Sequence, residues 1–162
     1  DFKGAYEVIG EANLLPAICG RVCPQENQCE GVCPVGETLE PVAIGRLERF
    51  LGDLAIAEHW SNVPYIEPNG FRVGIVGSGP AGMAAAQQLG RAGHDVHVYE
   101  RESRPGGLMR YGIPDFKMEK GLIDRRIGQM QAEGVVFRTS VFVGTAKLEL
   151  PVSGCFPSPE ST

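Results

Sequence analysis

The sequence predicts an α+β chain in two parts, a small α-helical domain followed by an α/β domain built on a parallel sheet. Three observations predict it. Four of the five cysteines, Cys19, Cys23, Cys29 and Cys33, fall within fifteen residues at intervals of four, six and four. A stretch with two prolines and a closing Asn-Gly, SNVPYIEPNG at 61–70, then breaks the chain. Beyond it an apolar run, an alanine-rich helical segment and a second apolar run follow within about thirty residues, the pattern of a strand–helix–strand unit that opens a parallel sheet.

Each element follows from its local pattern. A short helix is expected from Tyr6 to Asn13, stopped by Pro16. The cysteine segment has little periodicity, and Gly20, Pro24, Gly31 and Pro34 suit a loop wrapped around something other than a protein core. From Pro41 the apolar residues Val42, Leu47, Phe50, Leu51, Leu54 and Ala55 recur at helical steps, so an amphipathic helix runs to about Glu58. Phe71 to Val76 reads as a buried strand, Pro80 to Ala92 as a helix stopped by Gly93, and Asp95 to Tyr99 as a second strand. Glu119 to Ala132 reads as a further helix and Val135 to Phe142 as one or two short strands. The expected organisation is therefore a helical domain at 1–60, a linker at 61–70, an α/β domain at 71–144 and an irregular Pro/Ser-rich tail at 145–162.

Composition narrows the function. With 22% charged residues and a net charge of -5 spread without a basic stripe, a nucleic-acid partner has no electrostatic support. No apolar run approaches the ~20 residues needed to span a bilayer, and the first residues lack a secretory pattern. A cytoplasmic protein without a membrane partner is the expectation. A disulfide framework would spread its cysteines over the chain, so this cluster points to metal instead. Cys155 stands alone in the tail and reads as an incidental thiol, while His59, His94 and His97 share no spacing that suggests a joint site.

The chemistry-bearing motif of the second part is VGIVGSGPAG. Gly77, Gly79 and Gly82 form G-x-G-x-x-G directly after a strand and at the start of a helix. The first glycine allows a tight turn, the second lets backbone approach a pyrophosphate, and the third lets the helix pack closely on the strand. The helix amino terminus adds free N–H groups and partial positive charge. Glu100 lies 23 positions past Gly77 at the end of the second strand, where its carboxylate is expected to accept hydrogen bonds from both ribose hydroxyls and to repel a 2′-phosphate. FAD or NAD is thus favoured over NADP at this site. Gly106 and Gly107, in RPGGLMRYGIP, supply a second turn suited to an extended FAD.

Taken with ICGRVCPQENQCEGVCP and PVAIGRLERFLGD, the segment VGIVGSGPAGMAAAQQLGRAGHDVHVYERESRPGGLMRYGIPDFKMEK resembles the small (beta) subunit of NADPH-dependent glutamate synthase and the amino-terminal region of dihydropyrimidine dehydrogenase. The likeness runs from about residue 4 to about residue 144. It implies a helical domain with two 4Fe–4S clusters, then a Rossmann-like FAD-binding domain, and a partner subunit or fused domain that receives electrons. Carried over by position, Cys23, Cys29 and Glu48 look like ligands of one cluster and Cys33 of the other, with Cys19 structural. Soft thiolates suit iron in such clusters, and the Cys-Pro ending is similar to that of bacterial ferredoxins. The implied cofactor-contacting set is Gly77, Gly79, Pro80, Ala81, Gly82, Glu100, Arg101, Gly106, Gly107 and Leu108. No residue is implied as a catalytic acid, base or nucleophile, because the cofactors carry the chemistry.

The chain departs from the family in extent. It begins after an upstream cysteine motif and stops before the NADPH-binding insertion, so the Rossmann-like domain is expected to be incomplete and the isolated chain inactive with NADPH. Two other readings stay open on the residues alone. One is a non-catalytic module that docks a partner subunit without cofactors. The other is an NAD-linked dehydrogenase with a structural zinc, which the cysteine spacing by itself permits.

Overall fold

The computed structural model describes residues 1–60 and 66–144; the tail and its Cys155, and residues 61–65 of the expected linker, lie outside the described residues. The chain separates into two compact units, one formed by Asp1–Asn62 with Ile113–Arg126 and the other by Val63–Gly112 with Ile127–Thr162. Residues 113–126, placed by sequence order in the α/β part, thus group with the cysteine-bearing unit. Among the described residues no helix is long and apolar enough to cross a membrane.

The first unit is helical. Helix α1 (Phe2–Ala12) begins earlier than its apolar pattern indicates because the Asp1 carboxylate caps it, accepting from the Gly4 N–H at 2.9 Å. Pro16 does more than end that helix: it occupies the first turn of α2 (Pro16–Val22), where a missing N–H costs nothing. Cys19 therefore sits on a helix, and only the stretch from Cys23 onward is loop and short 3-10 turns. Helix α3 (Ile44–Ala57) receives its cap from outside its own start, with Glu30 accepting the Gly45 N–H at 2.8 Å.

Helices α2 and α3 touch backbone to backbone. A Cβ on Gly52 would stand 2.4 Å from the Ala17 nitrogen, and one on Gly20 would stand 2.5 Å from the Arg49 nitrogen. The glycines are what permit the crossing. Arg21 then spans it, meeting both oxygens of Asp53 at 2.8 and 2.7 Å while donating to the Ala17 carbonyl. Ala17, Ile18, Leu51, Ala55, Met118, Leu122 and Ile123 are buried in this unit. Arg126 donates to the Leu14 carbonyl at 2.6 Å.

The second unit holds a three-stranded parallel sheet in the order β1 (Arg72–Val76), β2 (Asp95–Tyr99), β3 (Val136–Arg138). Register pairs Val76 with Tyr99 and Tyr99 with Arg138. Helix α4 (Pro80–Arg91) packs on β1 and β2 and ends at Gly93, whose φ of +87° suits glycine. Val96, Val98, Met83, Ala86 and Met130 form the buried core. Two expectations differ. The strand at 71–76 is not buried, since Arg72, Gly74 and Val76 are exposed and Val73 and Ile75 only half-buried. Between Gly107 and Tyr111 the chain forms a short helix, α5, where the sequence shows only a turn. Helix α6 (Lys120–Ala132) follows as predicted, and a single strand, β3, stands where one or two were expected.

Candidate functional site

The glycine motif is the turn between β1 and α4, at the carboxyl end of the sheet where ligands of such folds bind. Gly77 has φ of +96° and donates its N–H to the Tyr99 carbonyl at 2.8 Å, so the turn is stitched to β2. A Cβ on Gly79 would meet no atom within 4 Å, because this position faces open space. Gly82 is glycine for the opposite reason: a Cβ there would stand 2.1 Å from the Gly77 carbonyl oxygen. Pro80 starts α4, and Gly79 and Pro80 at its amino terminus line the cleft.

The second glycine turn lies directly on the first. A Cβ on Gly107 would stand 2.8 Å from the Gly79 Cα, and Gly107 has φ of +51°. Gly106 donates its N–H to the Ser78 hydroxyl at 2.9 Å. The two turns predicted separately thus form one surface. It borders a cleft of about 730 Å³ that includes Val76 to Pro80, Glu100 and Arg101. Tyr111, Leu108 and Phe142 add apolar wall. That volume suits a small-molecule site, whose usual range is about 300–1,000 Å³. Ala81 is exposed at the start of α4, and the Arg101 side chain is exposed beside Glu102, to which it bonds at 3.1 Å.

Glu100 is buried at 5% exposure. Its Oε2 accepts the Ser78 N–H at 2.9 Å and the Ser78 hydroxyl, and its Oε1 accepts the Glu102 N–H at 3.0 Å. Burial alone would push this carboxyl up, but those hydrogen bonds outweigh it and hold the group below the usual glutamate value. It is charged, ordered and at the cleft. Ser78, fully buried, is the residue that sequence reasoning missed, because it occupies a variable position of the motif.

In the other unit the four cysteines are all free thiols. Cys23 and Cys29 are exposed, Cys19 and Cys33 half-buried. Burial raises the Cys19 thiol, with the Glu48 charge adding to it, while a contact with Asn13 Oδ1 at 3.6 Å partly opposes. Cys33 is lowered by backbone hydrogen bonds from Val42 and Val35. Glu48 is not free either: Oε1 accepts from Asn13 Nδ2 at 3.1 Å and Oε2 from Gln25 Nε2 at 2.6 Å. Among the described residues no three His, Cys, Asp or Glu side chains are gathered so as to hold a metal ion. Cys23, Cys29, Cys33 and Glu48 are thus placed in one unit without being gathered around a common point. His59, His94 and His97 likewise form no joint site: His94 meets Asn69, and His97 meets Asp95 at 3.0 Å.

Comparison with known proteins agrees with both parts. A family profile described as dihydropyrimidine dehydrogenase domain II, 4Fe-4S cluster, matches residues 1–60, and one described as NAD(P)-binding Rossmann-like domain matches residues 75–122. The chain is 49% identical over 144 residues to the glutamate synthase (NADPH) small chain of Mycobacterium tuberculosis, covering 88% of this chain and 29% of that protein. The Azospirillum brasilense small chain is 43% identical over 143 residues, covering 86% and 30%. The glutamate synthase (NADH) of Saccharomyces cerevisiae is 46% identical over 144 residues, 88% of this chain but 7% of that protein. The chain thus spans less than a third of these relatives' length. In the order of its two parts, an iron–sulfur domain followed by a Rossmann-like domain, the chain is similar to one segment of the glutamate synthases.

Proposed function

We propose that this chain is part of an iron–sulfur flavoprotein oxidoreductase that passes electrons from NADPH through FAD to 4Fe–4S clusters, and on to a catalytic large subunit or fused domain. The observation that carries the reading is the doubled glycine turn beside a buried, charged Glu100. FAD when bound supplies the exchange between two-electron and one-electron chemistry. The chain's own residues bind and orient it. Backbone at Gly77–Gly79 and the α4 amino terminus would meet the pyrophosphate, Gly106 and Gly107 would keep that surface free of side chains, and Glu100 would meet the ribose. The carboxylate is also what turns away a 2′-phosphate, so NADP is the wrong ligand for this cleft.

The cluster assignment rests on the family likeness and on thiol chemistry, with Cys23, Cys29 and Glu48 serving one cluster and Cys33 the other. In that assignment Glu48 must leave Asn13 and Gln25, and Cys23 and Cys29 must turn toward it.

Titration with FAD, followed by loss of flavin fluorescence, tests the cleft. FAD should bind and ADP displace it, whereas NADP should not compete. Gly79→Val should weaken binding about tenfold or more without unfolding the protein, because the new side chain enters open cleft and meets no protein atom. With one glycine fingerprint in the sequence, the chain should bind flavin yet reduce no dye from NADPH. Tighter binding of NADP than of FAD would contradict the reading.

A further inference from the structure

Arg110 is a buried arginine that the cofactor reading leaves without a role. It stands on α5, and its Nε donates to the Pro105 carbonyl at 2.6 Å. From the other side the Ser78 hydroxyl accepts the Gly106 N–H at 2.9 Å, its own proton going to Glu100. The Pro105 carbonyl and the Gly106 N–H belong to one peptide group. Two buried side chains thus grip both polar atoms of a single peptide plane, with Ser78 fully buried and Arg110 8% exposed. That plane lies where the backbone resists rotation least: Gly106 has φ of +130° and Gly107 +51°, and glycine moves among such conformations at little cost. Turning the peptide over would break both hydrogen bonds and leave their buried partners unpaired. Gly107, next along, is the residue that lies against Gly79 of the first turn.

We propose that Arg110 and Ser78 are positioning residues that lock the Pro105–Gly106 peptide from its two sides, so that the second glycine turn stands against the first before a ligand arrives. This rests on the dinucleotide reading of the cleft and deepens it. Both side chains act through the backbone of the turn. A turn already in place spares the ligand the cost of ordering it. A turn able to rotate is competent for only part of the time, and the apparent affinity falls by that fraction.

The test is hydrogen exchange of the full chain, read at the Gly106 amide against the Val98 amide in β2, together with calorimetric titration by ADP. In the unsubstituted, ligand-free protein Gly106 should exchange slowly. Arg110→Met and Ser78→Ala should each speed exchange at Gly106 and leave Val98 unchanged. Each should weaken ADP binding about tenfold, the loss expected when the competent fraction falls to about a tenth. Arg110→Met is the sharper variant, because it removes a bond at the carbonyl and is read at the N–H on the other side of the peptide. Faster exchange at both amides alike would mark a general loss of stability and overturn the assigned role. Protection of Gly106 unchanged in Arg110→Met, or ADP affinity unchanged in both variants, overturns it too. Fast exchange at Gly106 in an unsubstituted protein that binds ADP overturns this proposal alone, and that measurement decides the matter even if neither variant folds. Failure of ADP to bind the unsubstituted protein overturns the dinucleotide reading along with this one.

Discussion

At the scale of single residues, Glu100 joins stability to the proposed ligand binding. Its carboxyl is depressed in the folded protein, with hydrogen bonds from Ser78 and Glu102 overcoming the upward pull of burial. A group lowered on folding gives stability that is fully present above the ordinary glutamate value of about 4.3. That stability is lost as pH falls through the lower folded value. Glu100→Gln should therefore be less stable than the unsubstituted protein at neutral pH by about 1–3 kcal/mol, the cost of weakening buried hydrogen bonds to a charge. The gap should close as the pH falls below the folded value. Chemical denaturation at a series of pH values measures it; a gap independent of pH would mean that the charge contributes nothing. The motif glycines and Glu100 were legible in the sequence because phosphate and ribose fix their spacing. Ser78 was not, since its position in the motif carries no required residue type and only the fold reveals its partners.

At the scale of elements, the α2–α3 crossing shows where propensity and packing compete. Gly52→Ala gains about 1 kcal/mol of helix propensity, but its Cβ would stand 2.4 Å from the Ala17 nitrogen. Overpacking against backbone costs about 1–3 kcal/mol, so a net loss of stability is expected. Gly128→Ala in α6 is the matched control: a Cβ there meets nothing within 4 Å, so it should stabilise by about 0.5–1 kcal/mol. Thermal unfolding of the two variants gives the signs, and stabilisation by both would remove the packing argument. The same scale explains what the sequence left obscure. Pro16 stops one helix and starts another, and the text of a sequence cannot tell which role it plays. Helix α5 has five residues and follows Gly106 at φ of +130°, too short to show a helical period. The run FRVGIV looks like a strand buried on both faces, as parallel strands usually are. Only the fold shows that Arg72, Gly74 and Val76 are exposed.

At the scale of the whole molecule, two domain types follow one another along the chain and are matched by two family profiles at 1–60 and 75–122. The order was legible because cysteine clustering, a Pro/Gly-rich break and a strand–helix–strand pattern are each local. The grouping of residues 113–126 with the amino-terminal unit was not, since it depends on contacts far apart in sequence, such as that of Arg126 with the Leu14 carbonyl. The central claim is that one chain of this kind holds both a flavin and iron–sulfur ligands. The measurement that tests it most directly is the visible spectrum, with flavin, iron and acid-labile sulfide analysis, of protein purified and reconstituted without oxygen. The account predicts bound FAD together with iron and sulfide, and Cys23, Cys29 and Cys33 shielded from alkylation while Cys19 is unaffected by reconstitution. A protein that stays colourless, or that takes zinc in place of iron and no flavin, would contradict it.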